Sequence, residues 1–551
     1  MKLSPRASRL IRAEAGVALL AALGPVLYLG YALARTPAGF PWDDAWIHAT
    51  LARNLAETGA LGMQAGRWGA GSSSLLWVFA LALGFRIGLS PWLSAVLLGG
   101  ISHIAASWAM VRLTRGVLGR VGSLLAGALY ALFGPLVFLA LSGMETAFFL
   151  ALGLLSIWAW TQNRPFWAGA LLGLLLLTRI EGLFLWGLLL VAQLLRPGRR
   201  TLISFLGLFL LPLAGLAAGS AVRLLSEGHL LPLTLSGRRW LWGLPPPGVL
   251  SPERMGLFLQ NWRVYLLDWF LQAFRLENWP ILHGAYLGVL LLWGLGGLAF
   301  LAWRTWQARR EPRFWGACLM VLWGGGHLWA YLVFLPMPSF RHQAPFLPAT
   351  LLLLAGGEGF LQSTLAWAFG RARSGWPRLV RGPAILALLF GAGLTLWQWQ
   401  ANYTLQVEHI NRVHVRLAHW VSRNVPPQAV VAAFDIGALA YFGRHEVVDL
   451  GGLTDAAVLP YLYTHQSPSY LYERGATYLA MIGEPGDYWW RELGLTPPAW
   501  GETFALSLEA RFEVPPYARP PFDRPADYYF YPASRQITLY AIRWIAPPKG
   551  P

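Results

Sequence analysis

Charged residues are scarce in this sequence of 551 residues. They make up 13% of the chain, against roughly 25% in an ordinary soluble protein. Lys2 and Lys549 are the only lysines, and Cys318 is the only cysteine, which excludes an internal disulfide framework and a cysteine metal site. Apolar residues are abundant instead, at 56% of the chain with a mean hydropathy of +0.46. This composition is typical of a polytopic membrane protein.

Arginine supplies almost all of the positive charge, and the formal net charge is +17. The arginines stand in short runs between apolar segments rather than in one basic tract, so we exclude a nucleic-acid partner. The positive-inside rule places such runs, and with them the N-terminus, in the cytoplasm. The five basic clusters begin at Lys2, Arg112, Arg196, Arg304 and Arg371.

Apolar runs of about 15–25 residues recur along residues 1–399, and a bilayer core of roughly 30 Å needs about 20 residues. They predict a polytopic α-helical membrane protein with about 11 transmembrane helices, the first of which is retained rather than cleaved as a signal peptide. The first outward loop is then 35–73 and the second is 224–282. All basic clusters lie in the cytoplasm only if the number of spans between them fits. This requires either that 74–90 does not fully cross the membrane or that 166–195 is one broken helix, and we favour the first.

Residues 400–551 have a different character, with more acidic, tyrosine and proline residues and no long apolar run. Residues 405–424 have the pattern of an amphipathic helix, and five segments have the composition of strands. These patterns predict a soluble extracytoplasmic α/β domain. The predicted strands are Ala429–Phe434, Glu446–Leu450, Tyr478–Ile482, Phe504–Val514 and Ile537–Trp544.

Two adjacent carboxylates, Asp43 and Asp44, stand in the first outward loop. Apolar residues at i, i+4 and i+8 from Ile47 predict a short amphipathic helix directly after them. Paired carboxylates beside a membrane can supply a general base and a charge-stabilising partner. His48 lies one helical turn after Asp44, so the two side chains are candidate ligands for a divalent cation such as Mg, Mn or Ca. The alternative is that the acids only cap the helix.

Three ionisable residues interrupt apolar stretches: Glu145, Arg179 and Glu181. Ionisable groups at membrane depth are costly and usually face a cavity or a partner. The planar guanidinium of Arg179 suits a lipid phosphate, although snorkelling at a helix end is the alternative. Residues two positions apart do not face each other on a regular helix, so we expect Arg179 and Glu181 to have different partners.

Other candidate binding groups are predicted on the outer side. Ser73 belongs to a glycine- and serine-rich stretch whose amides and hydroxyls can contact a phosphate or a sugar, or which forms a flexible turn. Arg238 and Arg341 are outward-facing cations and hence candidate anion binders, with outer-leaflet phospholipid as the alternative for Arg238. Asp435 follows one predicted strand and Asp449 lies at the end of another, where acids line a site or simply form turns.

In their order along the chain, these segments resemble the GT-C superfamily of integral-membrane glycosyltransferases. Within it they resemble the bacterial arabinofuranosyltransferases, including the mycobacterial terminal ones, and the protein mannosyltransferase-like enzymes. The matching landmarks cover nearly the whole chain. They are Asp43–Ala45, Ala52–Ala56, Ser72–Trp77, Gly143–Thr146, Thr178–Gly182, Leu231–Thr234, Phe340–His342, Asp435–Gly437 and Asp449–Asp455.

The resemblance implies an enzyme that moves a sugar from a polyprenyl-phosphate donor to a glycan, lipid or protein acceptor outside the cytoplasmic membrane, usually with inversion. The sugar is arabinofuranose or another pentose or hexose. By this likeness Asp43 deprotonates the acceptor hydroxyl, and Asp44 supports it or holds a metal. Glu145 lines the same cavity, while Arg179 and Arg238 hold the lipid phosphate.

Two other functions compete with this interpretation. A polytopic transporter or flippase would show repeated halves and charges near the bilayer midplane. The sequence has no such repeat, and apart from the cytoplasmic basic clusters its candidate site charges are predicted toward the outer side. A membrane scaffold with a binding domain would have no need of Asp43 and Asp44 beside the membrane.

Overall fold

Residues 5–410 form mainly helices in the computed structural model, which describes residues 5–69, 71–195, 202–241, 274, 280–307, 312–333, 341–368, 376–514 and 536–548. Predictions that concern 242–273, 334–340 and the basic clusters at 196–200 and 371–375 fall outside the described residues. The helices are α1 (Pro5–Leu33), α2 (Asp44–Thr58), α3 (Leu75–Arg86), α4 (Pro91–Leu132), α5 (Gly134–Leu141), α6 (Thr146–Thr161), α7 (Pro165–Thr178), α8 (Gly182–Leu195), α9 (Leu202–Glu227), α10 (Leu233–Leu241), α11 (Pro280–Gln307), α12 (Pro312–Val333), α13 (Phe346–Ala368) and α14 (Trp376–Ile410).

The membrane helices identify a multi-pass membrane protein. Five helical segments of the described part are long and apolar enough to span a bilayer, and a sixth is added if α5 and α6 form one bent span. The shorter apolar helices α3, α7 and α8 have 12, 14 and 14 residues. At 1.5 Å per residue these are shorter than a bilayer core. The total of about 11 spans therefore stays a prediction.

Two helix breaks bring charged residues into the membrane part. The axes of α5 and α6 are bent by 112° at residues 142–145, which contain Glu145. Helices α7 and α8 are separated by residues 179–181, and Arg179 itself has extended backbone angles, φ −153° and ψ 133°. Thus the helix within 74–90 is the 12-residue α3 and the segment 166–195 is broken at 179–181, while the choice between the two alternatives for crossing the membrane stays a prediction.

The C-terminal part of the chain contains a mixed sheet, and all five predicted strands are confirmed to within two residues at each end. Their order in the sheet is β2-β1-β3-β5-β4, with β1, β2 and β3 parallel and with β5 antiparallel to both of its neighbours. The strands are β1 (Val430–Ala433), β2 (Glu446–Asp449), β3 (Ala476–Ile482), β4 (Phe504–Glu513) and β5 (Gln536–Trp544).

Helices and turns surround this sheet. The predicted helix at 405–424 is the end of a longer helical run: α14 continues through a π-helical turn (Asn411–Val415) into α15 (Arg416–Asn424). It therefore crosses the predicted domain boundary at 399/400 without a break. The remaining helices are α16 (Leu459–Tyr463), α17 (Ser467–Glu473), α18 (Tyr488–Glu492) and α19 (Ala499–Glu502).

Residues of the two loops that are predicted to face outward pack against the edge of the sheet where β1 and β2 end. Gly71 approaches Thr454 so closely that an added Cβ would lie 2.3 Å from the Thr454 Cα atom. Gly237 on α10 approaches Gly452 in the same way, at 2.3 Å from its carbonyl oxygen. Ligands of open α/β sheets bind beyond the carboxyl ends of parallel strands, and this edge here faces the first outward loop.

Candidate active site

The helix predicted after the paired carboxylates is confirmed as α2, which begins at Asp44. Asp43 is its N-cap residue, but the Asp43 side chain makes no capping hydrogen bond to α2. The indole of Trp46 packs against the rings of Tyr441 and Phe442, with centroids 5.1 and 4.7 Å away. Helix α2 is therefore held against the C-terminal part of the chain, and the Asp43 carboxylate turns toward that part.

Both oxygens of the Asp43 carboxylate accept backbone hydrogen bonds from the turn after β1. The amide of Gly437 donates to Oδ2 at 2.6 Å, and the amide of Ala438 donates to Oδ1 at 2.8 Å. Burial raises the pKa of Asp43 to about 6, and the charge of Asp435 adds to this, while His414 and the two amides oppose it. A carboxylate with a pKa near neutrality is suited to act as a general base.

Asp44 has a different partner. Nη2 of Arg341 donates to its Oδ2 at 2.5 Å, and the Arg341 guanidinium lies over the ring of Trp42 at 5.1 Å. The Asp44 side chain is 34% exposed and that of Arg341 is 13% exposed. The two acids of the pair therefore face different surroundings: amides for Asp43, and a cation for Asp44.

Arg179 lies at the centre of a buried ionic cluster. Its Nη1 donates to Oε1 of Glu145 at 2.7 Å, and its Nη2 donates to Oε1 of Glu181 at 2.6 Å and to the Tyr331 hydroxyl oxygen at 3.1 Å. The Tyr331 hydroxyl donates in turn to Glu181. The expectation that Arg179 and Glu181 have different partners is wrong, because residues 179–181 are not helical and the extended backbone lets the two side chains meet.

His48 and His342 extend the cluster. Nε2 of His48 lies 3.5 Å from Oε2 of Glu145. The His342 ring lies between the two arginines, with Nδ1 at 3.4 Å from Nη2 of Arg179 and Nε2 at 3.3 Å from Nε of Arg341. A continuous series of polar contacts thus runs from Glu145 to Arg341 and on to Asp44.

The two candidate metal ligands do not converge. Asp44 pairs with Arg341 while His48 contacts Glu145, so each would have to leave its present partner to share a cation. In the ranges that the structure describes, no group of three or more His, Cys, Asp or Glu residues could hold a metal ion. The donor set does not fit a metal as it stands, and metal ligation by Asp44 and His48 stays a prediction.

The remaining predicted residues lie at the edges of this site. Ser73 is half-buried, and its neighbour Ser74 donates to the carbonyl oxygen of Thr178, directly before Arg179. The backbone of Arg238 belongs to α10, while its side chain lies outside the described part of the structure. Phosphate binding by Ser73 and Arg238 therefore stays a prediction.

The sequence did not single out Tyr331, His327 or His414. His327 and Tyr331 are one turn apart on α12, and Nε2 of His327 lies 2.9 Å from the carbonyl oxygen of His342. The signal available was a polar pair at i and i+4 in an otherwise apolar helix. Asp449 was singled out, but its buried carboxylate accepts hydrogen bonds from Gly451 and Thr454, which is turn chemistry within its own loop.

The likeness of this chain to known proteins is clearer in architecture than in sequence. Residues 401–531 match a family described as a domain of unknown function (DUF8728). No curated protein matches the chain by sequence. A crystal structure of the Archaeoglobus fulgidus oligosaccharyltransferase, tethered by a disulfide bond to an acceptor peptide containing the NVT sequon, is 13% identical and has a TM-score of 0.51. The similarity covers 90% of this chain and 72% of that chain.

A second solved structure, ArnT from Cupriavidus metallidurans bound to undecaprenyl phosphate, is 14% identical with a TM-score of 0.48. It covers 97% of this chain and 99% of that chain. The likeness to the oligosaccharyltransferase shows that the chain has the fold of the GT-C membrane glycosyltransferases, the superfamily that its motifs resemble. At this identity the likeness concerns the fold alone.

Proposed function

We propose that this protein transfers a sugar from a polyprenyl-phosphate carrier to an acceptor on the outer side of the cytoplasmic membrane. One observation carries the proposal: Asp43, a half-buried carboxylate whose pKa is raised to about 6, adjoins Asp44, and Asp44 is paired with Arg341 beside the buried ionic cluster of Arg179. A base and cations in one place are what transfer from a phosphate carrier requires. The GT-C fold, and the fold of an oligosaccharyltransferase in particular, agrees with this reaction class.

The proposed reaction is a single displacement with inversion. Asp43 takes the proton from the acceptor hydroxyl, and the acceptor oxygen forms a bond to the anomeric carbon of the sugar. The bond between that carbon and the phosphate oxygen breaks, and its electron pair leaves with the polyprenyl phosphate. The guanidinium groups of Arg341 and Arg179 stabilise the negative charge that develops on the leaving phosphate.

Phosphate binding requires the cluster to exchange partners. The donors of Arg179 are directed at Glu145, Glu181 and Tyr331, and Nη2 of Arg341 is directed at Asp44. A phosphate that enters the site therefore competes with these carboxylates. Arg341 has the smaller barrier to such an exchange, because its partner Asp44 is partly exposed and can be rehydrated.

The test is release of polyprenyl phosphate by the purified protein in detergent. A panel of polyprenyl-phosphoryl sugars that includes arabinofuranose and mannose is supplied together with a cell-envelope extract as the source of acceptor hydroxyls, with Asp43→Asn and Asp44→Asn alongside. We expect release from at least one donor and its loss in Asp43→Asn. Release that survives Asp43→Asn would remove Asp43 as the base. Absence of release from every donor, combined with movement of an intact lipid-linked sugar across vesicles, would favour the alternative of a transporter or flippase.

A further inference from the structure

Two π-helical turns flank the carboxylate of Asp43. One (Asn411–Val415) joins α14 to α15, and the other (Leu439–Gly443) follows the loop after β1. Such turns are rare and occur frequently at functional sites. Both belong to the C-terminal part of the chain, although Asp43 belongs to the first outward loop.

Two residues of the first π turn make contacts near Asp43: Asn411 contacts the first outward loop, and His414 contacts Asp435. Nδ2 of Asn411 donates to the Thr36 hydroxyl oxygen at 3.2 Å and to the Pro37 carbonyl oxygen at 2.9 Å, which fixes the loop upstream of Asp43. Three residues later, Nε2 of His414 lies 3.0 Å from Oδ2 of Asp435, and the His414 side chain is 4% exposed. A buried imidazole thus fixes the start of the 435–438 turn.

The second π turn follows the amides that hold Asp43. Gly437 and Ala438 present their N–H groups to the two oxygens of one carboxylate. The approach is so close that a Cβ at position 437 would lie 2.0 Å from the Asp43 carbonyl oxygen. Among the described residues, the titratable side chains that act on Asp43 are His414 and Asp435, and the next residue, Asp44, is paired with Arg341.

We propose that His414 and Asp435 are positioning residues for Asp43: their contact holds the 435–438 turn so that its two amides orient the carboxylate toward the acceptor. Each oxygen of Asp43 accepts one amide and keeps a lone pair for the acceptor proton. The inference rests on the proposed function, since it takes Asp43 as the base. It also makes the C-terminal part of the chain a component of the catalytic apparatus.

The contact between the Asp43 carboxylate and the 435–438 turn is tested first, by a measurement that does not depend on activity. Hydrogen exchange of peptides that cover 435–443 is compared in the full-length protein, Asp43→Asn and Asp44→Asn. An asparagine offers one acceptor where the two amides need two, so we expect faster exchange in Asp43→Asn alone. Equal exchange in all three proteins would overturn the contact.

Positioning is then tested by turnover with whichever donor releases polyprenyl phosphate. We expect Asp435→Asn and His414→Gln each to lower kcat at least about tenfold while the donor KM stays within about twofold, because a misplaced base affects the chemical step. The same substitutions are repeated in Asp43→Glu, whose longer side chain no longer fits the two amides but keeps a base.

In Asp43→Glu we expect no further loss from Asp435→Asn or His414→Gln, because the carboxylate they position is already displaced. The control is Asp449→Asn, another buried acid of the same sheet edge that contacts its own loop. We expect the fold loss in kcat from Asp449→Asn to multiply with the fold loss from Asp43→Glu, as independent effects do. Losses from Asp435→Asn that also multiply would overturn the positioning role. A wild-type protein inert toward every donor, with the exchange difference present, would remove the proposed function and leave the contact in place.

Discussion

Asp44 and Arg341 are separated by 297 residues in the chain, yet Oδ2 of one accepts a hydrogen bond from Nη2 of the other at 2.5 Å. This pair distinguishes Asp44 from its neighbour, whose carboxylate is held by two uncharged amides. Burial raises the pKa of Asp43 although its two amides oppose that rise, whereas the Asp44 carboxylate is engaged by the Arg341 guanidinium. The two adjacent acids therefore have different expected roles.

The first prediction separates these roles by substitution. Asp43→Asn removes the proposed base, so we expect kcat to fall by about 10²–10⁴-fold. Asp44→Asn removes only the partner of Arg341, so we expect a loss below about tenfold. Steady-state release of polyprenyl phosphate measures both. A larger loss in Asp44→Asn than in Asp43→Asn would reverse the assignment.

The second prediction concerns pH. Only the ionised form of Asp43 accepts a proton, and its pKa is raised to about 6 by burial. Turnover should therefore be constant above about pH 7 and fall about tenfold per pH unit below 6. The acid side of a pH–rate profile of kcat measures this fall. An acid limb near pH 4, the ordinary range of an aspartate, would show that another group is titrating.

The third prediction concerns the buried ionic cluster. Arg179→Met leaves Glu145 and Glu181 without their counter-ion, and breaking such a buried pair costs about 3–5 kcal/mol. Thermal unfolding should show a clearly lower midpoint. The control is Arg412→Met, whose ion pair with Glu408 lies at the surface, with an arginine side chain 51% exposed. Its loss should cost less than about 1 kcal/mol, and equal effects would contradict the cluster's importance.

The fourth prediction compares alanine substitutions of two glycines in one short segment, Gly437 and Gly443. Gly437→Ala places a methyl group 2.0 Å from the Asp43 carbonyl oxygen, so the turn must move away from the base. In Gly443→Ala the nearest atom belongs to the flexible side chain of Leu439, at 3.2 Å. We expect at least about 100-fold lower kcat in Gly437→Ala and a change below threefold in Gly443→Ala.

The fifth prediction concerns orientation in the membrane. Cys318→Ala gives a cysteine-free chain into which single cysteines can be placed. A cysteine at the exposed position Ser507 should react with a membrane-impermeant maleimide added to intact cells. A cysteine at the exposed position Gln307, at the end of α11, should react only after permeabilisation. The reverse pattern would invert the predicted topology.

The elements of this fold were largely predictable, since they depend on local pattern. All five strands follow from short β-branched and aromatic runs, and α2 follows from apolar spacing after Asp44. The break at 179–181 was not recognised as a place where two neighbouring charges meet. A local pattern gives the type of an element but not the backbone angles of the residues between elements.

The partners within the site were less predictable. Asp43, Asp44, Glu145, Arg179 and Arg341 were all selected as unusual charges in apolar or loop surroundings. Their pairing depends on which helix ends adjoin in space, which no local pattern contains. His414 was missed because a histidine in an amphipathic helix has no distinguishing spacing, and its role follows only from Asp435 beside it.

The wide separation of Asp43 from Gly437 also sets an order of events during synthesis. Ribosomes add roughly 5–20 residues per second, and the two partners of this hydrogen bond are 394 positions apart in the chain. About 20–80 s therefore pass between the synthesis of Asp43 and the synthesis of the amides that bind its carboxylate. During that interval the Asp43 carboxylate lacks the two amides that bind it, so under the proposed function a nascent or prematurely terminated chain would have no oriented base.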